Sequence, residues 1–231
     1  MATRDLRKER AQQRRAENRK SILSAAEKVF AKNGYSQTSV DNIAREAQFS
    51  KATLYRYYRS KRDIFSAVIM ESFQEALRGF TRIYQKDGDA ETKLREIIHY
   101  TLSYYKKKEI FARIFLMERS AMKKALNLDI HEHVMPTIDQ EALPQEFKQI
   151  ITSFHQGMAS ILQEGMDSGK FRRMDPEEAG YILGALLRGF HFRGFVQERS
   201  YTVEESTDML HRFFMHGIQG SVRSQKKGEY A

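Results

Sequence analysis

The stretch Thr38–Asp63, TSVDNIAREAQFSKATLYRYYRSKRD, constrains the fold more than any other part of the chain. Val40, Ile43, Ala44 and Ala47 recur at i, i+3, i+4, i+7, which gives a short helix with one apolar side. Gln48-Phe49-Ser50 breaks that pattern. Lys51 to Tyr58 then interleaves two apolar anchors, Leu54 and Tyr58, with the hydrogen-bonding side chains of Lys51, Thr53, Arg56 and Tyr57. A helix this short and polar is not stable by itself in water. Held on its neighbours, with its outer side offered to a charged partner, it has the layout of a helix-turn-helix that reads DNA.

Charge supports that layout. Lys and Arg outnumber Asp and Glu by 39 to 30, a net charge of +9, which suits a polyanion, either nucleic acid or an acidic membrane surface. Residues 1–20 alone hold eight basic and three acidic side chains, Arg14, Arg15 and Arg19 among the former. This segment has no apolar stripe but high helix propensity. It either extends the next helix or stays disordered until it meets a partner, and it is expected to be an arm that touches DNA phosphates or enters the minor groove, the alternative being a solvated tail that only aids solubility. There is no cysteine, which excludes disulfide and thiol chemistry. No apolar run reaches the ~18 residues of a membrane helix, and no secretory signal is visible, so a cytoplasmic protein without a membrane partner is expected.

Helix formers abound and prolines number only 3, so the chain is expected to be all-α, with about nine helices. A first helix over about 20–32 closes at Asn33-Gly34. Thr38-x-x-Asp41 fits a capping box for the second, and either Thr38 or Ser39 can cap it. Ser60-Lys61-Arg62-Asp63 opens a long fourth helix whose apolar residues run from Ile64 to Phe80. Further helical stripes follow around Leu94–Tyr105, Ile110–Met117 and Phe147–Met166. Asp175-Pro176-Glu177-Glu178 starts a helix that is apolar on nearly all sides, and Thr202-x-x-Glu205 starts the last. Those two helices are expected to pair with the same two of a second subunit, through Leu183, Leu187, Phe190, Met209, Phe213 and Ile218.

The residues also carry a family resemblance. Residues 21–69 resemble the N-terminal domain of TetR/AcrR-type bacterial transcriptional regulators without a gap. The matching positions are Ala26, Phe30, Gly34 and Tyr35, then Ile43, Ala44 and Ala47, then S-K-x-T-L-Y-x-Y-Y-x-S-K from Ser50 to Lys61. The resemblance implies an all-α homodimer with an N-terminal three-helix DNA-binding domain and a larger domain that binds a small-molecule effector, which releases the protein from a palindromic operator. It departs from the family in the turn, where Gln48 stands in a position that Gly often occupies in left-handed conformation. The domain division expected is a basic arm over 1–19, the helix-turn-helix domain over 20–66, an effector and dimerisation domain over 67–224, and a tail over 225–231.

Residue roles follow. Lys51 and Thr53 are expected at base edges and Tyr55 and Tyr57 at phosphates or a thymine methyl, with Ser50 also among the DNA-binding residues. Lys61, Thr38 and Ser39 are expected at phosphates, through charge and helix N-terminal N–H groups. Phe73, Tyr100, Tyr104, Phe111, Phe115, Met117, Phe154 and Met158 are the candidates for lining a largely apolar effector cavity. His131-Glu132-His133 lacks the further paired ligands of a metal site, so no metal and no cofactor are expected. No nucleophile–base constellation or phosphate loop stands out, and an enzyme is not expected. The rivals are a helical ligand-binding or interaction protein that does not recognise DNA and, more distantly, a basic membrane-surface protein.

Overall fold

A computed structural model describes residues 2–108, 144–196 and 201–218. Among them lie eight helices and no sheet: α1 (Ala2–Gln37), α2 (Val40–Glu46), α3 (Lys51–Tyr57), α4 (Lys61–Tyr84), α5 (Ala90–Lys107), α6 (Gln145–Asp167), α7 (Pro176–Val196) and α8 (Val203–Ile218). The helix expected around Ile110–Met117, the His131–His133 segment and the tail lie outside the described residues.

The described residues form two compact units. The first holds α1, α2, α3, α4 as far as Glu75, Lys108 and the start of α6. Its core is Ile22, Ala26, Phe30, Ile43, Leu54, Ile64, Phe65 and Ile69, every one almost fully buried. Phe65 meets Phe30 edge-on at 5.0 Å and Tyr35 at 4.7 Å, so α4 closes against the end of α1. Gly34, at φ +71°, breaks α1 there. The basic N-terminal segment extends α1 as helix, the first of the two alternatives the sequence allowed. Lys108 places its ammonium 2.8 Å from Glu27 of α1 and 3.3 Å from Glu75 of α4, an ion-pair network with no signal in the sequence pattern.

The second unit holds the rest of α4, α5, α6 from Gln149, α7 and α8. Leu94, Ile97 and Ile98 of α5, Ile161 and Leu162 of α6, Leu183 and Leu187 of α7, and Leu210 and Phe214 of α8 make one buried cluster. α5 is the central packing partner of this unit, meeting both α7 and α8. Caps fix where its helices begin. Asp175 accepts the N–H groups of Glu177 and Glu178, and Thr202 with Glu205 forms a full reciprocal box. Asp89 caps α5 through the N–H groups of Glu91 and Thr92 and also receives Lys170 at 3.0 Å. The Lys170 ammonium and the Thr92 hydroxyl hold the Asp89 carboxyl well below the usual carboxylate range.

Leu162→Ala removes a fully buried side chain and is expected to cost roughly 2–5 kcal/mol, read from urea unfolding. The lowered Asp89 pKa means its contribution to stability is full above the unfolded value of 3.8 and is lost as pH falls below it. The melting difference between wild type and Asp89→Ala is therefore expected to shrink between neutral pH and the acid limit of folding, and also in high salt, because the pair is exposed.

Candidate nucleic-acid interface and apolar surfaces

The candidate reading surface is built by two caps and a turn. Ser39 Oγ accepts the Asn42 N–H at 3.1 Å, and Asn42 Oδ1 accepts the Ser39 N–H at 3.1 Å. The capping box of α2 is thus Ser39 with Asn42, one residue later than Thr38 with Asp41. Thr38 is buried, its hydroxyl donating to the Gly34 carbonyl at 2.7 Å, so its side chain is not offered to a phosphate. After Ala47 the backbone turns at Gln48, with φ +58°, and the N–H groups of Gln48 and Phe49 return to the carbonyls of Arg45 and Ala44. This is a Schellman closure with a side chain where Gly is favoured, at a cost of roughly 1 kcal/mol.

Ser50 caps α3, accepting the Thr53 N–H at 3.1 Å, and the two hydroxyls lie 2.9 Å apart. Leu54 and Tyr58 are buried, Thr53 and Tyr57 half-buried, and Lys51, Tyr55 and Arg56 exposed. Lys51 donates to Asp41 of α2 at 2.8 Å, and that hydrogen bond holds its ammonium above the ordinary lysine range. The Tyr57 hydroxyl accepts from Asn18 at 3.1 Å, and the Tyr58 hydroxyl accepts from Arg19 at 3.3 Å. Burial pushes the Tyr58 phenol up. Asn18 and Arg19 therefore tie α1 to the end of α3. Sequence reasoning missed Asn18 and the pairing of Asp41 with Lys51, because neither partner is near in sequence. Arg14 and Arg15 lie exposed on α1, as does Arg19 beside Tyr58.

Lys61 differs most from its expected role. Its ammonium donates to the carbonyls of Tyr35 at 2.9 Å, Thr38 at 2.8 Å and Ser36 at 3.4 Å, and lies 4.5 Å from the centre of the Tyr35 ring. The carbonyls left open at the end of α1 take up the charge, so it is turned inward and not towards a phosphate.

The expected effector residues are divided between the two units and the residues that are not described. Phe73 is buried in the first unit, edge-on to Phe147 at 4.9 Å. Tyr100, Tyr104, Phe154 and Met158 lie in the second unit, and Phe111, Phe115 and Met117 lie outside the described residues. In that unit Phe80 gathers Tyr100 at 5.5 Å, Phe154 at 4.8 Å and Tyr84 at 6.0 Å into one aromatic cluster. The Tyr84 hydroxyl donates to the Phe154 carbonyl at 3.4 Å.

Of the residues expected between subunits, Leu183 and Leu187 are buried in the core of their own unit, because α7 turns that side to α5. Phe190 and Met209 are half-buried, Phe213 is 67% exposed, and the Ile218 side chain lies outside the described residues. The open apolar face is formed instead by Tyr181 (63% exposed), Ile182, Phe192 and Phe213. Between α7 and α8 runs a groove of about 530 Å³, floored by Ala185, Leu186, Gly189 and Phe190. Among the described residues no group of His, Asp or Glu is placed to hold a metal ion, and no helix is long and apolar enough to cross a membrane.

With this geometry in place, residues 22–68, which span the buried core of α1 through the start of α4, match the family model described as bacterial regulatory proteins, tetR family. The N-terminal DNA-binding domain belongs to the TetR family. The protein is a DNA-binding transcriptional regulator. It is similar to the HTH-type transcriptional repressor NicS of Pseudomonas putida, 29% identical over 75% of this chain and 74% of that protein. It is also similar to the fatty acid metabolism regulator protein of Bacillus subtilis, 24% identical over 65% of this chain and 69% of that protein. In fold it is similar to the transcriptional regulator FadR from Bacillus subtilis in complex with stearoyl-CoA. That likeness has a TM-score of 0.67 at 21% identity, covering 86% of this chain and 98% of the other.

The placement of Lys61 gives a test in this regulator. Lys61→Met is expected to lower unfolding free energy by roughly 1.5–3 kcal/mol, the range for hydrogen bonds to a charged group. Lys51→Met is expected to leave the urea midpoint unchanged. Equal midpoints for the two variants would return Lys61 to the DNA-facing role.

Proposed function

We propose that the protein is a dimeric repressor that reads a palindromic operator through α3 and leaves it when a largely apolar small molecule occupies the second unit. The observation that carries the DNA half is the division of α3 into a buried side, Leu54 and Tyr58, and an outer side, Lys51, Tyr55 and Arg56. Lys51 reads a guanine edge, which takes the place of the Asp41 carboxylate as hydrogen-bond acceptor. Thr53 adds a methyl or hydroxyl contact beside it. Tyr55, Tyr57, Ser50 and the N–H groups capped by Ser39 hold phosphates and set the register.

Two recognition helices must sit ~34 Å apart, or a multiple of that, to enter successive major grooves, so a dimer is needed. The face of Tyr181, Ile182, Phe192 and Phe213 supports a second copy as its cover, since exposed apolar side chains of this size gain most from burial. Ala185 and Gly189, both small and exposed, let a partner helix approach closely. An apolar effector is supported by the aromatic cluster around Phe80 and by the stearoyl-CoA held by the similar regulator FadR. α4 continues from one unit into the other, so a ligand that packs against its second half can bias the first.

In fluorescence anisotropy against duplexes selected from a random pool, Lys51→Ala is expected to lose roughly 1–3 kcal/mol of discrimination at one base position and little affinity for unselected duplex. Equal losses on both would remove Lys51 from base reading. Phe213→Asp with Tyr181→Asp is expected to give a monomer by sedimentation, with the single-site affinity kept and the palindrome affinity lost. A dimer that survives both changes would move the interface elsewhere. Stearoyl-CoA, as the effector probe, is expected to weaken operator binding, and operator to weaken stearoyl-CoA binding by the same factor.

A further inference from the structure

α1 is 36 residues long, and its first five turns project beyond the buried residues of the first unit. From Leu6 to Lys20 every side chain is exposed except Asn18, which is half-buried against Tyr57. At 3.6 residues per turn, Arg7, Lys8, Arg10, Arg14, Arg15 and Arg19 fall within about half of the helix circumference. Glu9, Gln13 and Glu17 follow one another at four-residue steps on the other half, where Gln13 donates to Glu17 at 3.2 Å. The charge is therefore sorted by side, which composition alone does not require.

The orientation of the cationic half is fixed from below. Asn18 and Arg19 lie on it and bond to Tyr57 and Tyr58 at the end of α3. Ile22, Ala26 and Val29, by which α1 packs on its neighbours, lie on it too. Cations and recognition helix thus share one side of α1, and the acids face away. None of Arg7, Lys8, Arg10, Arg14 or Arg15 is held in an ion pair among the described residues.

We propose that the cationic face of α1 over Arg7–Arg19 is a second DNA-contacting surface, lying along the phosphates of duplex that flanks the segment read by α3. The proposal rests on α3 docking in DNA as described above. Phosphates, not bases, are the target. A helix with its side chains is ~10–12 Å across, and the minor groove is only ~6 Å wide. As a helix, this segment cannot enter the minor groove, which decides between the two contacts its charge allows. From Arg7 to Arg19 the face is roughly 18 Å long, at ~1.5 Å per residue. It binds without sequence preference and lengthens the footprint.

The test uses the full-length protein, duplexes selected from a random pool with and without an added helical turn of flank, and an unselected duplex. Arg7→Gln/Arg14→Gln/Arg15→Gln is expected to flatten the salt slope by roughly 0.9 for each phosphate that is no longer neutralised. It is also expected to abolish hydroxyl-radical protection of the flank and the extra affinity the flank provides, while sequence preference stays. Arg14→Gln is expected to flatten the slope where Lys20→Gln, on the other half, does not. An unchanged slope and flank protection in the triple variant would overturn the proposal. So would unchanged DNA binding with reduced binding to vesicles of anionic lipid, which would assign the face to a membrane surface. Failure of α3 as the reading helix shows separately, as a wild type that selects no sequence. The slope on unselected duplex still decides the role of α1 in that case.

Discussion

The ammonium of Lys61 is the point on which the DNA-reading surface depends. Three carbonyls converge on it, from Tyr35, Ser36 and Thr38. Two belong to the turn that ends α1 after Gly34, and the third to the residue before the cap of α2. A helix end leaves carbonyls open and carries negative partial charge, so a cation there is stabilised by the dipole and by hydrogen bonds together. Because Lys61 is also the first residue of α4, one side chain fixes the end of α1, the start of α2 and the start of α4 in a single geometry. The Tyr35 ring below it packs on Phe65, which joins this polar clamp to the apolar core.

What hangs from that clamp is short. α2 and α3 have seven residues each, far below the length at which a helix holds itself in water. Each is kept by one cap and one or two buried side chains: Ser39 with Ile43 and Ala44, Ser50 with Leu54. The Gln48 turn sets the angle between them, and the side chain there is tolerated because the closure satisfies two otherwise open carbonyls. Asn18 and Arg19 hold the far end of α3 through the Tyr57 and Tyr58 hydroxyls. The outer side chains of α3 need no contribution to folding, which leaves their chemistry open to selection for reading.

This division explains what was legible in the sequence. Periodicity reports which side of a helix is apolar, so Leu54 and Tyr58 inward, and Lys51 and Tyr55 outward, follow from spacing alone. It says nothing of where a polar side chain finds its partner. Thr38 and Lys61 are polar residues at helix starts and suit phosphate by type, yet their partners are carbonyls at the end of α1 and the turn after it, which periodicity does not reveal. The box of α2 shifted by one residue because Asn42 accepts at the third position as well as an acid does. α7 is apolar nearly all round, and no pattern states which side goes to α5 and which stays open. Leu183 and Leu187 went inward, while Tyr181 and Ile182 stayed out.

The aromatic cluster of the second unit bears on how a ligand acts. Phe80 meets Tyr100 and Phe154 edge-on, an arrangement worth roughly 0.5–1.5 kcal/mol per pair beyond the area it buries. Burial also pushes the Tyr84 phenol well up, so its hydroxyl stays neutral and bonded to the Phe154 carbonyl. Under the proposed function, an apolar ligand that packs among these rings would bind their different arrangements unequally. That is the condition for a switch: a ligand shifts an equilibrium by its difference in affinity for two states, not by its affinity as such. The cluster joins α4, which continues into the first unit, with one ring from α5 and one from α6, so under the proposed function a ligand that favours one arrangement of the rings would act on α4.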